Sequence, residues 1–246
     1  MKKVIYFCGS KLLDIYSEIL SALKTVDGIV TGDPKYFPIT QATDIEGFRF
    51  DFNSGLRLDI PKGNFHVTVF DSASNLVVFD KDVSDVILVS LEKFFVCWEF
   101  ILYRDGEEIF THKFNAEGKE VHFNFPKSGM GDRIALFPYA ESFRQKWNCR
   151  ATAKVEPYLQ EILKLYFPEI KCVETPAEDT YATYFPAPSF GVIYLPEKPI
   201  NFPMLQMGRD ILGVSAKKII YRPTEPRKIS EPYVCIAVQA SSTIKS

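Results

Sequence analysis

The chain has 246 residues, with 29 basic and 31 acidic side chains and a formal net charge of −2. This near balance excludes a general electrostatic attraction to nucleic acid or to anionic membranes, so we expect no nucleic-acid partner. The length suits one large or two ordinary domains, and a hydrophobic content of 46% is that of a globular protein with a substantial core.

The five cysteines are scattered along the chain and form no Cys-x-x-Cys pair, so they indicate neither a disulfide framework nor a zinc site. Lys2 and Lys3 precede the apolar run 4–8, which is shorter than the roughly 7–15 residues of a secretory signal. No apolar stretch reaches the length of a membrane span. The sequence therefore predicts a cytoplasmic protein without a membrane span.

Residues 1–45 are predicted to form a helical extension and a linker. Apolar residues recur at helical spacing between Leu12 and Leu23, which predicts a helix near residues 11–24. Two prolines in the stretch 28–43 are typical of a linker. We expect this extension to pack on a neighbouring segment or to fray.

Residues 46–124 carry the pattern of several short strands. Aromatic and β-branched residues alternate along this stretch, and Arg104-Asp105-Gly106 is a hairpin-turn signal. Closely spaced strands of this kind predict a small antiparallel β domain.

Three histidines, His66, His112 and His122, lie in the same stretch. No carboxylate or thiol pattern joins them into a metal site. We interpret them as residues on the surfaces of strands.

From about residue 120, strand and helix patterns alternate. Helices are predicted over 132–147 and 153–166, and Pro138 is expected to kink the first helix or to mark a short first turn. Further strand candidates lie at 170–173, 192–195, 219–221 and 233–238. The alternation predicts a parallel α/β sheet, so the chain as a whole is of mixed α+β and α/β class.

The loop between the strand at 121–125 and the first helix carries the strongest functional signal. In Ser128-Gly-Met-Gly-Asp132, two glycines allow a tight turn and a close approach to a ligand, and the helix start offers unpaired N–H groups. Asp132 either faces a ligand or caps the helix. The third glycine of a dinucleotide-binding fingerprint is replaced by Ile134, which disfavours a nicotinamide-dependent oxidoreductase.

Four segments together carry a family resemblance: Phe50–Arg57 with Pro61–Gly63, Phe125–Arg150 with its Gly-Asp pair and Pro138, Gly208–Val214, and Glu231–Ala237. In their order and spacing they resemble the bacterial ADP-heptose heptosyltransferases. Among these the chain is most similar to the autotransporter heptosyltransferases of the TibC/Aah type. The resemblance extends from about residue 46 to the C-terminus.

The resemblance implies a particular domain organisation. Residues 46–124 would form the antiparallel β domain, and residues 125–230 one Rossmann-like domain, the acceptor-facing N-terminal half of a GT-B glycosyltransferase. Residues 231–246 would supply the first strand and loop of a donor-binding domain that is truncated in this chain.

The resemblance also assigns roles to residues. Asp132 would be the catalytic base that takes the proton of an acceptor serine as its hydroxyl attacks the anomeric carbon of the heptose, with inversion. The implied substrate-binding residues are Ser128, Gly129, Met130, Gly131, Gln239, Thr243 and Lys245.

The implied substrates are ADP-heptose, a nucleotide-sugar, and the passenger domain of an autotransporter adhesin. No cofactor is expected in this chain, because the iron site of the family lies in a C-terminal region outside it. We expect a homo-oligomer and little or no transfer by this chain alone. The alternative is a non-catalytic module that binds the adhesin or supports oligomerisation.

Overall fold

A computed structural model of the chain describes residues 2–9, 37–125, 129–186, 204–217 and 219–222. The chain divides into two compact units, Met1–Ala216 and Lys217–Ser246. The described residues of the second unit, 217 and 219–222, form neither helix nor strand, so the strand predicted at 219–221 is wrong.

All described helices and strands belong to the first unit, and they form the mixed α/β fold that the sequence predicts. The strands are β1 (Lys3–Phe7), β2 (Gln41–Ala42), β3 (Arg49–Asn53), β4 (Arg57–Ile60), β5 (Phe65–Asp71), β6 (Leu76–Val83), β7 (Val86–Ser90), β8 (Trp98–Arg104), β9 (Glu107–Lys113), β10 (Glu120–Asn124), β11 (Arg150–Lys154), β12 (Ile170–Cys172) and β13 (Ala182–Tyr184). The helices are α1 (Met130–Trp147), α2 (Pro157–Tyr166) and α3 (Met204–Leu212).

A nine-stranded sheet has the order β1-β7-β4-β3-β13-β10-β11-β12, with β2 also paired to β3. Strand β4 runs antiparallel to both of its neighbours, β3 and β7, and the other pairs along this order are parallel. Two successive antiparallel pairings restore the original strand direction. All strands in this order except β4 therefore run in the same direction. We call the edge of the sheet where these strands end the carboxyl edge.

A second sheet, β6-β5-β8-β9, is entirely antiparallel. Aromatic rings of β3 pack against rings of this sheet, with Phe50 5.3 Å from Phe100 and 4.5 Å from His112 between ring centroids. The predicted hairpin turn between β8 and β9 is confirmed, since Asp105 and Gly106 adopt φ of 53° and 89°. Positive φ at both positions is the geometry that tight hairpins require.

Strand β10 leads into α1. Phe123 of this strand contacts Phe143 of the helix, and Phe125, the residue after the strand, contacts Phe137. Pro138 lies inside α1, which continues through it to Trp147, so it does not mark a short first turn. Helix α3 packs on α1 at Gly208, where an added Cβ would come within 2.7 Å of the Tyr139 ring. Gly208 thereby permits the close approach of the two helices.

The N-terminal residues differ from the predicted helical extension. Residues Lys3–Phe7 form β1, which pairs in parallel with β7. Their β-branched and aromatic side chains suit an edge strand better than a free extension. The helix predicted at 11–24 and the strands predicted at 192–195 and 233–238 lie outside the described residues.

One sheet also connects the two segments that the sequence separates near residue 124. Residues 46–124 contribute β3, β4, β7 and β10 to the nine-stranded sheet and four strands to the antiparallel sheet. Parallel pairing of β3 with β13, at Phe52 with Ala182 and at Asn53 with Thr183, joins β3, β4 and β7 to β10, β11 and β12.

A buried ion pair stabilises this junction. The Asp51 carboxylate, 0% exposed, accepts two hydrogen bonds from the Arg57 guanidinium, at 2.7 and 2.6 Å. It also accepts hydrogen bonds from the Thr40 backbone N–H and from the Asn53 side-chain amide, at 2.9 and 3.0 Å. The Thr183 hydroxyl of β13 donates to Asn53 at 2.8 Å. A polar network therefore extends from β4 through β3 to β13.

We expect Asp51→Asn to lower the free energy of unfolding by roughly 3–5 kcal/mol, because it removes the carboxylate charge that Asp51 places against the buried Arg57 guanidinium. The matched control is Asp59→Asn, which removes the partly exposed pair with Lys2 and should cost less than about 1 kcal/mol. Urea denaturation measures both values. Equal losses in the two variants would contradict the role assigned to Asp51.

Candidate functional site

The order of the parallel strands locates a candidate site. The chain passes from β10 through α1 to β11 and through α2 to β12, and these strands lie on one side of β10. Strand β13 pairs with the other side of β10. In open α/β sheets, ligands bind in the crevice that forms at the carboxyl edge where the strand order reverses in this way. The start of α1, which follows β10, lies at this position.

Asp132 occupies the first turn of α1 and is partly exposed. The N-cap residue is Gly129, and no side chain caps the helix, so Asp132 does not serve as the N-cap. A Cβ placed on Gly129 would lie 2.9 Å from Asp132 Oδ2, so the carboxylate folds back over the glycine. No hydrogen bond or ion pair joins this carboxylate to another described residue. It is therefore placed to accept a proton or a hydrogen bond.

The neighbouring Arg133 is buried, with 3% exposure. Its Nη2 donates to the Tyr158 hydroxyl of α2 at 3.0 Å, and its guanidinium carbon lies 5.7 Å from the centre of the Tyr158 ring. Met130 and Tyr158, in the first turns of α1 and α2, are exposed at 54% and 57%. Within the described residues, Arg133 forms no ion pair with Asp132, although the two are adjacent in sequence.

The structure brings part of the predicted site together. Gly129, Met130, Gly131 and Asp132 form the start of α1. The other predicted substrate-binding residues, Ser128, Gln239, Thr243 and Lys245, lie outside the described residues. The binding roles of all these residues remain predictions.

The carboxyl edge also holds two charged residues that the sequence reasoning missed. Lys93, which follows β7, is 2% exposed, and its Nζ donates to the carbonyl oxygens of Ser54 and Ser90 at 2.7 Å each. Burial, with a smaller contribution from the Arg57 charge, lowers the pKa of Lys93 to about 7. Glu92 accepts hydrogen bonds from the Gly9 N–H at 2.7 Å and from the Cys8 thiol at 3.0 Å. A charged pair of residues after an aliphatic strand was the only sequence signal for them.

The interpretation of the histidines as surface residues is wrong for His122, which is 1% exposed. It lies in register with Thr152 and Thr183, and its Nδ1 is 3.0 Å from the Thr152 hydroxyl. Burial lowers the pKa of His122 to about 4. His66, by contrast, is partly exposed between Asp80 and Asp82, and hydrogen bonds to these carboxylates raise its pKa.

No group of three or more His, Cys, Asp or Glu side chains within the described ranges is arranged to hold a metal ion. Those residues therefore do not fit an iron site. No helix in the described part of the chain is long and apolar enough to cross a membrane.

Comparison with known proteins shows which proteins the chain is similar to. Residues 45–106 match the model of the N-terminal domain of the glycosyltransferase TibC. The chain is 33% identical over 227 residues to the autotransporter heptosyltransferase Aah of Escherichia coli, covering 86% of this chain and 56% of that protein. It is 32% identical over 211 residues to the autotransporter heptosyltransferase TibC of Escherichia coli O78:H11, covering 81% of this chain and 52% of that protein.

A further relative is named as an inactive autotransporter heptosyltransferase, BimC of Burkholderia thailandensis, at 31% identity over 80% of this chain and 48% of that protein. Among solved structures, the iron-containing dodecameric glycosyltransferase TibC of enterotoxigenic E. coli H10407 superposes with a TM-score of 0.74 at 29% identity, covering 85% of this chain and 57% of that chain. The structure of TibC in complex with ADP-D-beta-D-heptose superposes with a TM-score of 0.70, covering 82% of this chain and 56% of that chain.

The fold and the matched domain are those of a glycosyltransferase. More narrowly, the chain is homologous to the N-terminal portion of the TibC-type autotransporter heptosyltransferases. It spans about half the length of the relatives that it matches.

The two loop glycines give a matched test of the local geometry. We expect Gly129→Ala to displace the Asp132 carboxylate, because its backbone φ of −58° admits alanine but the added Cβ would lie 2.9 Å from Oδ2. An added Cβ at Gly131 meets nothing within 4 Å, so Gly131→Ala should stabilise α1 by roughly 0.5–1 kcal/mol. Crystal structures and urea denaturation of both variants check this. An unmoved carboxylate in Gly129→Ala would contradict it.

We expect the buried imidazole of His122 to make stability depend on pH. Its folded-state pKa of about 4 lies below the unfolded value of 6.5, so its contribution is complete above about pH 6.5 and is lost as the pH falls towards 4. The loss is at most about 3–4 kcal/mol, at about 1.4 kcal/mol per pKa unit. Urea denaturation at a series of pH values should show that the free energy of unfolding falls less steeply on acidification in His122→Gln than in the unmodified chain.

His66→Gln is the control, because His66 should make stability depend on pH in the opposite direction. The raised pKa of His66 means that its contribution is complete below the unfolded pKa and is lost as the pH rises through the folded pKa. If the free energy of unfolding falls equally steeply on acidification in His122→Gln and in the unmodified chain, His122 does not titrate in this way.

Proposed function

We propose that the chain is the acceptor-facing part of a protein O-heptosyltransferase with Asp132 as the general base. The observation that carries this proposal is the Asp132 carboxylate at the carboxyl edge. It is partly exposed, and no described residue forms an ion pair with it. A carboxylate acts as a base when it lies within hydrogen-bond reach of the proton and is not locked in a strong ion pair.

In the proposed reaction, the oxygen of an acceptor serine attacks the anomeric carbon of the heptose. The bond from that carbon to the diphosphate breaks, and ADP leaves with the bonding electrons. The hydroxyl proton passes to Asp132. Because the acceptor attacks opposite to the leaving group and no enzyme nucleophile intervenes, the configuration at the anomeric carbon is inverted.

The strand order supports a Rossmann-like half. In chain order, β10, β11, β12 and β13 are the first to fourth of the parallel strands from residue 120 onwards, and their spatial order is third, second, first, fourth. This is the beginning of the doubly wound order of nucleotide-binding folds. We propose that residues 125–230 and the preceding strand β10 form the N-terminal half of a GT-B enzyme, that the rest of residues 46–124 forms its β domain, and that residues 231–246 start the donor domain.

The names of the relatives support the choice of substrates. TibC has been solved with ADP-D-beta-D-heptose, and Aah and TibC are named autotransporter heptosyltransferases. We propose ADP-heptose as donor, an autotransporter adhesin passenger as acceptor, and the cytoplasm as the site of action. Ser128, Gly129, Met130 and Gly131 would line the reacting sugar, and Gln239, Thr243 and Lys245 the diphosphate.

A second candidate function is a non-catalytic module that binds the adhesin or assembles with copies of itself. Two observations favour it: one relative is named inactive, and TibC is described as dodecameric. The chain also spans about half of its relatives' length, and remote binding energy is needed to orient the reacting centre. We therefore expect the 246-residue chain alone to transfer heptose poorly.

A chimera tests the function. In it, this chain replaces the matching part of TibC, and transfer from ADP-heptose to an adhesin fragment is followed by mass spectrometry. We expect the chimera to transfer heptose and Asp132→Asn to lower kcat by roughly 10²–10⁴, the usual contribution of a general base. Glu161→Gln, an exposed acidic residue of α2, is the control and should leave kcat unchanged.

Two results would decide against the proposal. Transfer that is unaffected by Asp132→Asn excludes this residue as the base. Binding of the adhesin fragment without any transfer by the folded chimera favours the non-catalytic module. Rapid turnover by the 246-residue chain alone would overturn our expectation that it transfers poorly.

A further inference from the structure

The side chain of Tyr158 combines exposure with a fixed orientation at the start of α2. The residue is 57% exposed. Its hydroxyl accepts a hydrogen bond of 3.0 Å from Nη2 of the buried Arg133, and the Arg133 guanidinium carbon lies 5.7 Å from the ring centre. An aromatic ring held in this way offers a large contact area and loses little conformational entropy when a ligand binds.

The position of Tyr158 in the fold is next to the candidate site. Strands β10 and β11 are parallel neighbours, so the helices that follow them, α1 and α2, begin side by side at the carboxyl edge. Asp132 lies in the first turn of α1, and Tyr158 lies in the first turn of α2. Neighbouring helices are about 8–10 Å apart, so these two first turns are separated by on the order of 10 Å.

An acceptor polypeptide extends beyond the serine that reacts at Asp132. Extended backbone spans about 3.3 Å per residue, so the distance to Tyr158 corresponds to about three residues of the acceptor. Of the large apolar residues that are exposed in the described part of the first unit, Met130 and Tyr158 lie at the carboxyl edge. Met130 belongs to the loop that we assign to the reacting sugar, which leaves Tyr158 to the polypeptide.

We propose that Tyr158 is a specificity-determining residue, whose ring contacts an apolar side chain of the acceptor polypeptide about three residues from the reacting serine. The contact positions the polypeptide and takes no part in proton transfer. This inference rests on the proposed role of Asp132 as the base. It assigns recognition of the acceptor to α2, whereas the proposed base lies on α1.

Steady-state kinetics of the TibC chimera test this contact. We expect Tyr158→Ala to raise the KM for the adhesin fragment roughly 5–30-fold, the usual effect of removing an aromatic contact residue. Both kcat at saturating fragment and the KM for ADP-heptose should be unchanged, because the ring contacts neither the reacting atoms nor the donor. Tyr158→Phe keeps the ring and should raise the KM for the fragment less.

Leu165→Ala is the matched control. Leu165 is 54% exposed on the same helix but lies about 10 Å further along it, away from the carboxyl edge. This variant should leave all three kinetic constants unchanged. In the fragment, each residue near the reacting serine is replaced by alanine in turn. The replacement about three residues from the serine should raise KM in the unmodified chimera but not in Tyr158→Ala.

An unchanged KM for the fragment in Tyr158→Ala overturns the inference, and so does an equal rise in Leu165→Ala. Equilibrium binding of the fragment separates this inference from the proposed function. If transfer does not depend on Asp132, weaker binding of the fragment to Tyr158→Ala than to the unmodified chimera retains the contact and rejects the proposed base. If the folded chimera does not bind the fragment at all, both proposals are rejected.

Discussion

The buried carboxylate of Asp51 is the constraint on which the rest of the fold depends. Arg57 neutralises it from β4, and Asn53 extends the same network to Thr183 of β13. The backbone pairing between β3 and β13 extends over two residue pairs, so side-chain hydrogen bonds provide much of the connection there. Without this junction the sheet would separate into an N-terminal and a C-terminal part.

The junction also explains why the candidate site lies where it does. Because β3 and β13 pair in parallel, β3 and β7 end at the same edge of the sheet as β13 and β10. Asp132 follows β10 at that edge, and Glu92 and Lys93 follow β7. The buried amine of Lys93 binds carbonyl oxygens rather than a carboxylate, so it stabilises the ends of β3 and β7 but does not provide a fixed countercharge. Asp132, by contrast, presents a partly exposed carboxylate at this edge.

Local patterns in the sequence identified the elements whose side chains alternate strongly. The run of short strands within residues 46–124, the hairpin turn between β8 and β9, and the helix α1 were all predicted near their observed positions. Strand β11 was missed, because Ala151 and Ala153 are small and carry little strand signal, and helix 153–166 was extended into it. Strands β1 and β13 were missed because they pair with partners distant in sequence. Burial of His122 depends on the same long-range pairing, which no local pattern encodes.

The pairing of β3 with β13 has a consequence for the order of events during synthesis. The Thr183 hydroxyl that contacts Asn53 is 130 residues further along the chain. At a translation rate of roughly 5–20 residues per second, β3 is synthesised on the order of ten seconds before β13. During that interval the edge of β3 that later pairs with β13 is open. The polar residues Asp51 and Asn53, which later join the buried network, keep one face of β3 hydrophilic during that interval. The same side chains that close the finished sheet thus protect the nascent chain from premature pairing.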